Sequence, residues 1–199
     1  MAMYKYAIAF LLFFAAFFTH AQSHKKDIEW SPDGLTAKDY KLVRPPKTDS
    51  NIKIGAVTGS KPAMDASVLN IDGKRVLKIT LSNRFDHESS WMLKSEAHNA
   101  ALLKHEQGHF DINEIYTRKM FQQFRNFKFT NDFKNEIYTI MQSVNNELLQ
   151  MQRLYEKETM NGTNVDGQAK WNSKIAADLA SVPSYKDQAV EQELPPAKE

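Results

Sequence analysis

The chain has 199 residues, of which 42% are hydrophobic and 25% charged, and it has no cysteine. Such a composition excludes collagen-like, disulfide-stapled and wholly disordered chains. The lack of Cys also removes thiol nucleophiles, thiolate zinc sites and iron–sulfur ligation. A net charge of +2, from 26 basic and 24 acidic residues spread along the chain, offers no basic field for nucleic acid. Any metal must be held by His, Asp or Glu.

Met1 to Tyr6 carries Lys5 as its only charge, and Ala7 to Phe18 is an unbroken apolar run that ends in Thr19-His20-Ala21. This order is that of a signal peptide over residues 1–21, with cleavage after Ala21. The run is shorter than the roughly 20 residues a membrane-spanning helix needs, so a retained anchor is the poorer reading. The expected product is exported, periplasmic or extracellular, with no stable membrane anchor after cleavage.

Residues 22–182 read as one domain. Ile28-Glu29-Trp30 is a short strand candidate, closed by a turn at Ser31-Pro32-Asp33-Gly34, and Arg44-Pro45-Pro46 breaks any helix. Val68 to Ile71 and Val76 to Leu81 are strands joined across Asp72-Gly73. A small antiparallel N-terminal sheet is therefore expected, and a strand edge near Val76 to Leu81 could pair with an extended substrate.

Three helices follow. The first runs from about Ser95 to Phe127, with Leu102, His105, His109, Ile112, Tyr116, Met120 and Phe124 along one face. Thr130 or Asn131 can cap the second, whose apolar face carries Phe133, Ile137, Ile140, Val144, Leu148, Met151 and Tyr155 and which stops at Asn161-Gly162. The third opens near Asp166 and carries Gln168, Trp171, Ile175 and Leu179. The fold class expected is α+β, a small sheet packed on three helices. Residues 183–199 are polar, contain Pro195-Pro196 and read as a disordered tail.

His105-Glu106-Gln107-Gly108-His109 is an H-E-x-x-H pattern within the first helix. Residues four apart share a helix face, so both imidazoles can hold one Zn²⁺, with Glu106 beside it as general base for hydrolysis of a carbonyl compound. The competing reading makes His105 and His109 core histidines, but each would then need its own buried hydrogen-bond partner. Gly108, costly inside a helix, suggests a close backbone approach there, by a sheet strand for example. His98 and His87 read as ordinary polar residues. A third ligand is needed, and Glu136, Glu147, Glu156 and Glu158 have the right charge. Asp111 and Glu114 point elsewhere by helical spacing. Antiparallel packing of the first two helices favours Glu156 or Glu158 over Glu136.

Ser90-Trp91, Leu102 to Ile112 around the motif, Tyr155 to Gly162, and Gln168 with Trp171 together make the chain resemble a family of secreted bacterial proteins regarded as zinc-dependent proteases, domain of unknown function 922. The resemblance runs from Ile28 to about Leu179. It implies a zincin-like fold, a Zn²⁺ cofactor and a peptide or protein substrate. The family pattern reads Tyr, an acid, a Thr further on, then His before Gly. Tyr155, Glu156 and Thr159 agree, but Asn161 stands at the His position. If that His is a metal ligand, Asn161 replaces it poorly. If the acid is the ligand, Glu156 completes the site while Asn161 and Tyr155 contact the substrate or transition state, and this second case is preferred. The alternative function is a catalytically degenerate secreted module of the same fold, binding an envelope partner with at most a structural metal.

Overall fold

The computed structural model describes residues 27–44 and 54–197. The signal segment expected over residues 1–21 and the Pro45-Pro46 helix break lie outside them. Among the described residues no helix is long and apolar enough to cross a membrane.

The expected α+β architecture is present. Strands β1 (Ile28–Glu29), β2 (Lys41–Val43), β3 (Ala56–Val57), β4 (Ser60–Ile71), β5 (Lys74–Phe85) and β6 (Trp91–Leu93) precede α1 (Ala100–Asn126), α2 (Phe133–Thr159) and α3 (Val165–Ser181), and β7 (Val190–Glu193) closes the chain. β4 and β5 form a long hairpin turned at Asp72 and Gly73, both with positive φ of 52° and 78°. A primed turn of this kind matches the strand twist, and Asp-Gly is a pair that tolerates it. β5 alternates along its length, burying Leu77, Ile79, Leu81, Asn83 and Phe85 on the face turned to the helices. The apolar ones divide between two clusters: Leu77, Ile79 and Leu81 pack with Ile112, Ile115, Phe121, Phe124 and the stripe of α2, and Phe85 packs with Phe110, Tyr40 and Met92. A second, three-stranded sheet of order β2-β6-β3 has β2 parallel and β3 antiparallel to β6.

The helices end where local chemistry stops them. The Asn99 side chain accepts from the Leu102 N–H at the start of α1, and Asn164 does the same for Gly167 at the start of α3. Before α2, the Thr130 hydroxyl accepts from the Asp132 N–H and donates to Glu136, so this Thr organises the turn although Asp132 holds the cap position. α2 terminates in three consecutive left-handed residues, Met160, Asn161 and Gly162, with φ of 50°, 54° and 79°. The Asn161 N–H returns to the Glu156 carbonyl at 3.0 Å, satisfying a carbonyl that the helix end leaves free.

Two expectations are corrected. The segment after Pro183 is not a disordered tail: β7 pairs with Val76 to Ile79 of β5, and Tyr185, Val190 and Leu194 are buried in the main core. These three apolar side chains, spaced among polar ones, supply the burial that composition alone hides. For the same reason Val76 to Leu81 is not a free edge, since β4 flanks it on one side and β7 covers it to Ile79 on the other. In the gap between β7 and β1, the Trp30 N–H bonds the Asn83 carbonyl, while the Tyr185 hydroxyl reaches the buried Glu114–Arg118 pair. Arg118 also lies over the Trp30 ring and donates to the Leu179 and Val182 carbonyls, tying the residue after β1 and the end of α3 to α1.

Candidate metal centre

α1 and α2 run antiparallel, because Tyr155 of α2 bonds His105 and the earlier Gln152 bonds the later His109. This direction places the C-terminal turn of α2 over the His105–His109 face. Glu156 reaches both rings, with one carboxylate oxygen 3.4 Å from His105 Nε2 and the other 3.3 Å from His109 Nε2. The two Nε2 atoms are 3.3 Å apart. His105, His109 and Glu156 are the group of this kind found among the described residues. Glu158 instead accepts from the Trp171 indole at 2.7 Å, Glu136 is bonded to Thr130, and Asp111 accepts from Trp30 and Gln107. Of the four carboxylates the sequence left open, packing therefore brings Glu156 to the imidazoles.

The fit of a metal to these three residues rests on the atoms themselves. Two lone-pair-bearing nitrogens and a carboxylate converge, and Glu156 Oε2 is buried without accepting a hydrogen bond of good geometry. Buried polar atoms without a partner are rare and call for a positive neighbour. Tetrahedral zinc with bonds of about 2.0–2.1 Å sets its ligand atoms ~3.3–3.4 Å apart; the two Nε2 atoms stand at that spacing, each lies as far from a different Glu156 oxygen, and one ligand atom from each residue falls within 4.8 Å of the others. In the metal-free arrangement the same crowding moves the protons. Burial acts to raise the Glu156 pKa, but the two imidazoles outweigh it and hold it at about 2. For His109 burial acts to lower the pKa, and the carboxylates of Glu156 and Glu106 overcome it and raise it.

The ring of His105 is held on its flat sides. Tyr155 stacks on it at 4.9 Å with the planes 18° apart, and the Gly162 backbone lies so close that a Cβ there would meet His105 Cγ at 2.8 Å. Tyr155 is fully buried, stacks its edge against Trp171, and gives its hydroxyl proton to the His105 carbonyl at 2.9 Å. Tyr155 is expected from sequence beside substrate; the contacts shown are with the helix that bears the histidines, which it braces, and burial pushes its pKa up accordingly. This contact also explains Gly108. A Cβ at that position would stand 2.2 Å from the Tyr155 hydroxyl, so the close approach is made by α2 and not by a sheet strand. Asn161 is exposed on the left-handed turn beside Gly162, at the rim of the cluster.

Glu106, one residue from His105, is itself buried and accepts a 2.5 Å hydrogen bond from the Thr58 hydroxyl. Thr58 has thus committed its proton, so the Tyr40 hydroxyl 2.8 Å away is the donor to it. Burial raises the Tyr40 pKa, which keeps that proton in place. Thr58 is presented by the turn between β3 and β4, where Ser90 Oγ accepts from the Gly59 N–H and donates to the Asp86 carbonyl. Ser90 thereby acquires a structural reason for being wholly buried. Thr58, Tyr40, Gln152 and the partner role of Gln168 were missed from sequence. Thr58 and Tyr40 lie more than forty residues before the motif, and nothing in their local pattern reports the contact.

Residues 77–163 match the family model described as bacterial protein of unknown function (DUF922), the family whose motifs the sequence carries. The matched span includes His105, Glu106, His109, Gln152, Tyr155, Glu156 and Asn161 and leaves Tyr40, Thr58 and Gln168 outside. No curated protein and no solved structure matches the chain.

Proposed function

We propose that this chain is an exported zinc-dependent hydrolase acting on peptide bonds of a peptide or protein substrate. The observation that carries the reading is the convergence of His105 Nε2 and His109 Nε2 of α1 with the Glu156 carboxylate of α2, one ligand atom from each lying within 4.8 Å of the others, beside the Glu106 of the same motif. A two-His, one-carboxylate set of hard and borderline donors suits zinc and leaves room for a fourth ligand. When bound, zinc supplies Lewis acidity toward a carbonyl oxygen and acidifies water.

The protein's own share of the reaction falls to Glu106. Thr58 fixes one of its carboxylate oxygens, so the side chain is aimed before substrate arrives. Glu106 takes a proton from the attacking water and passes it to the amine that leaves, which balances the two proton transfers of amide hydrolysis. Asn161, exposed at the rim, can donate an amide N–H to the oxygen that gains negative charge. The apolar run ahead of the domain supports export, and the absence of cysteine is consistent with a domain held by its core.

One observation favours a second reading. Asn161 occupies the position where the family pattern has His, and a module that had lost turnover would tolerate that change. A Glu106→Gln variant separates the two. Full-length mature protein is incubated with a mixed peptide library and read by mass spectrometry. The hydrolase reading expects cleavage by wild type and a loss of about 10²-fold or more in the variant, with zinc content unchanged. Absence of cleavage by zinc-loaded wild type across the library would favour the binding module.

A further inference from the structure

We propose that Gln152 and Gln168 are positioning residues that fix both imidazoles in the one tautomer able to receive a metal at Nε2. The inference rests on the metal reading above and is carried by donor and acceptor accounting. Tyr155 has a single hydroxyl proton, and the His105 carbonyl 2.9 Å away can only accept it. The Tyr155 oxygen must then accept from Gln168, 2.8 Å away, so the Gln168 atom there is the amide nitrogen. That nitrogen's second proton goes to Asn172 Oδ1 at 2.9 Å. The remaining Gln168 atom is the carbonyl oxygen, 3.1 Å from His105 Nδ1, so this ring nitrogen carries the proton.

The same accounting closes on His109 without passing through Tyr155. Gln152 places its amide nitrogen 3.0 Å from the His109 backbone carbonyl, which can only accept. Its oxygen therefore faces His109 Nδ1, at 2.6 Å, and this nitrogen is protonated as well. Each histidine is thus checked twice by one glutamine, directly or through Tyr155: at its own main-chain carbonyl and at its ring. Neutral rings with Nδ1–H have bare lone pairs at Nε2, and those two atoms and Glu156 are what converge. A partner on the second ring nitrogen is how metal-ligating histidines are oriented. Here the partners are amides, whose orientation is set by carbonyls of the helix that carries the ligands.

Two measurements on the full mature chain test this: zinc affinity by chelator competition, and ¹⁵N shifts of the imidazoles in metal-free protein at alkaline pH. Wild type should show Nδ1–H rings for both histidines. Gln152→Met should bind zinc about 10–100-fold more weakly, and Gln152→Glu, which keeps an acceptor facing the ring, should recover most of the loss. Equal zinc affinity in wild type and Gln152→Met, or Nε2–H rings in metal-free wild type, would overturn the inference. Should Gln152→Met fail to fold, the wild-type ring shifts decide. Failure of wild type to bind zinc would instead overturn the metal reading, and the ring shifts would still report the tautomers.

Discussion

Replacing Gly108 by Ala tests the packing of the site by the sign of its effect. Helix propensity alone predicts a gain, since Ala is favoured over Gly inside a helix by about 1 kcal/mol. The contacts predict the reverse. The new Cβ would stand 2.2 Å from the Tyr155 hydroxyl and 2.7 Å from Cζ. That ring cannot swing away cheaply, because it is fully buried, stacked on His105 and packed against Trp171. Overpacking of this kind costs about 1–3 kcal/mol, and breaking the hydroxyl bond to the His105 carbonyl adds about 1–3 kcal/mol. Setting the propensity gain against these leaves a net destabilisation of about 1–5 kcal/mol, a large part of the ~5–15 kcal/mol that holds a domain together. Urea unfolding of metal-free wild type and Gly108→Ala, followed by circular dichroism, measures the difference. A variant as stable as wild type, or more stable, would refute the placement of Tyr155 against α1.

Three further outcomes follow from named contacts. Thr58→Val should reduce peptide cleavage about 10-fold or more at unchanged zinc content, and Thr58→Ser, which keeps the hydroxyl on Glu106, should restore it; equal rates in Val and Ser would remove Thr58 from the site. Glu156, with its pKa held down to about 2 from an ordinary 4.5, contributes stability that is complete above the unfolded value and is lost as pH falls toward 2. Urea midpoints of metal-free wild type between those limits should therefore drop more steeply than those of Glu156→Gln, and parallel curves would contradict the pairing. Ending the chain at Pro183 removes the buried Tyr185, Val190 and Leu194, about 5–9 kcal/mol at most by burial; the shortened chain should lose cooperative unfolding, and an unchanged midpoint would show that β7 is dispensable.

The elements whose cause is local were legible in the sequence. Three helices, the Asp72-Gly73 hairpin and the stop at Asn161-Gly162 each follow from spacing or turn chemistry within a few residues. The antiparallel direction of α1 and α2 was legible too, because two long amphipathic helices joined by a short turn have one economical way to pack. What escaped depends on contacts remote in sequence. Tyr185, Val190 and Leu194 are too sparse to mark a strand until β5 offers them a partner. Thr58 reaches Glu106 from the turn between β3 and β4, and the burial of Tyr155 depends on His105 and on Trp171 of α3, neither of which its local pattern reports. The choice between Glu156 and Glu158 turned on the Trp171 indole, which claims Glu158 from another helix.

His105, His109 and Glu156 are proposed to hold one metal ion. Mature protein dialysed against limiting zinc and analysed by native mass spectrometry, beside His109→Ala and Glu156→Ala, tests it most directly. One zinc per wild-type chain, and none retained by either variant under the same conditions, is the expected result. Equal zinc in all three, or none in wild type, would contradict it.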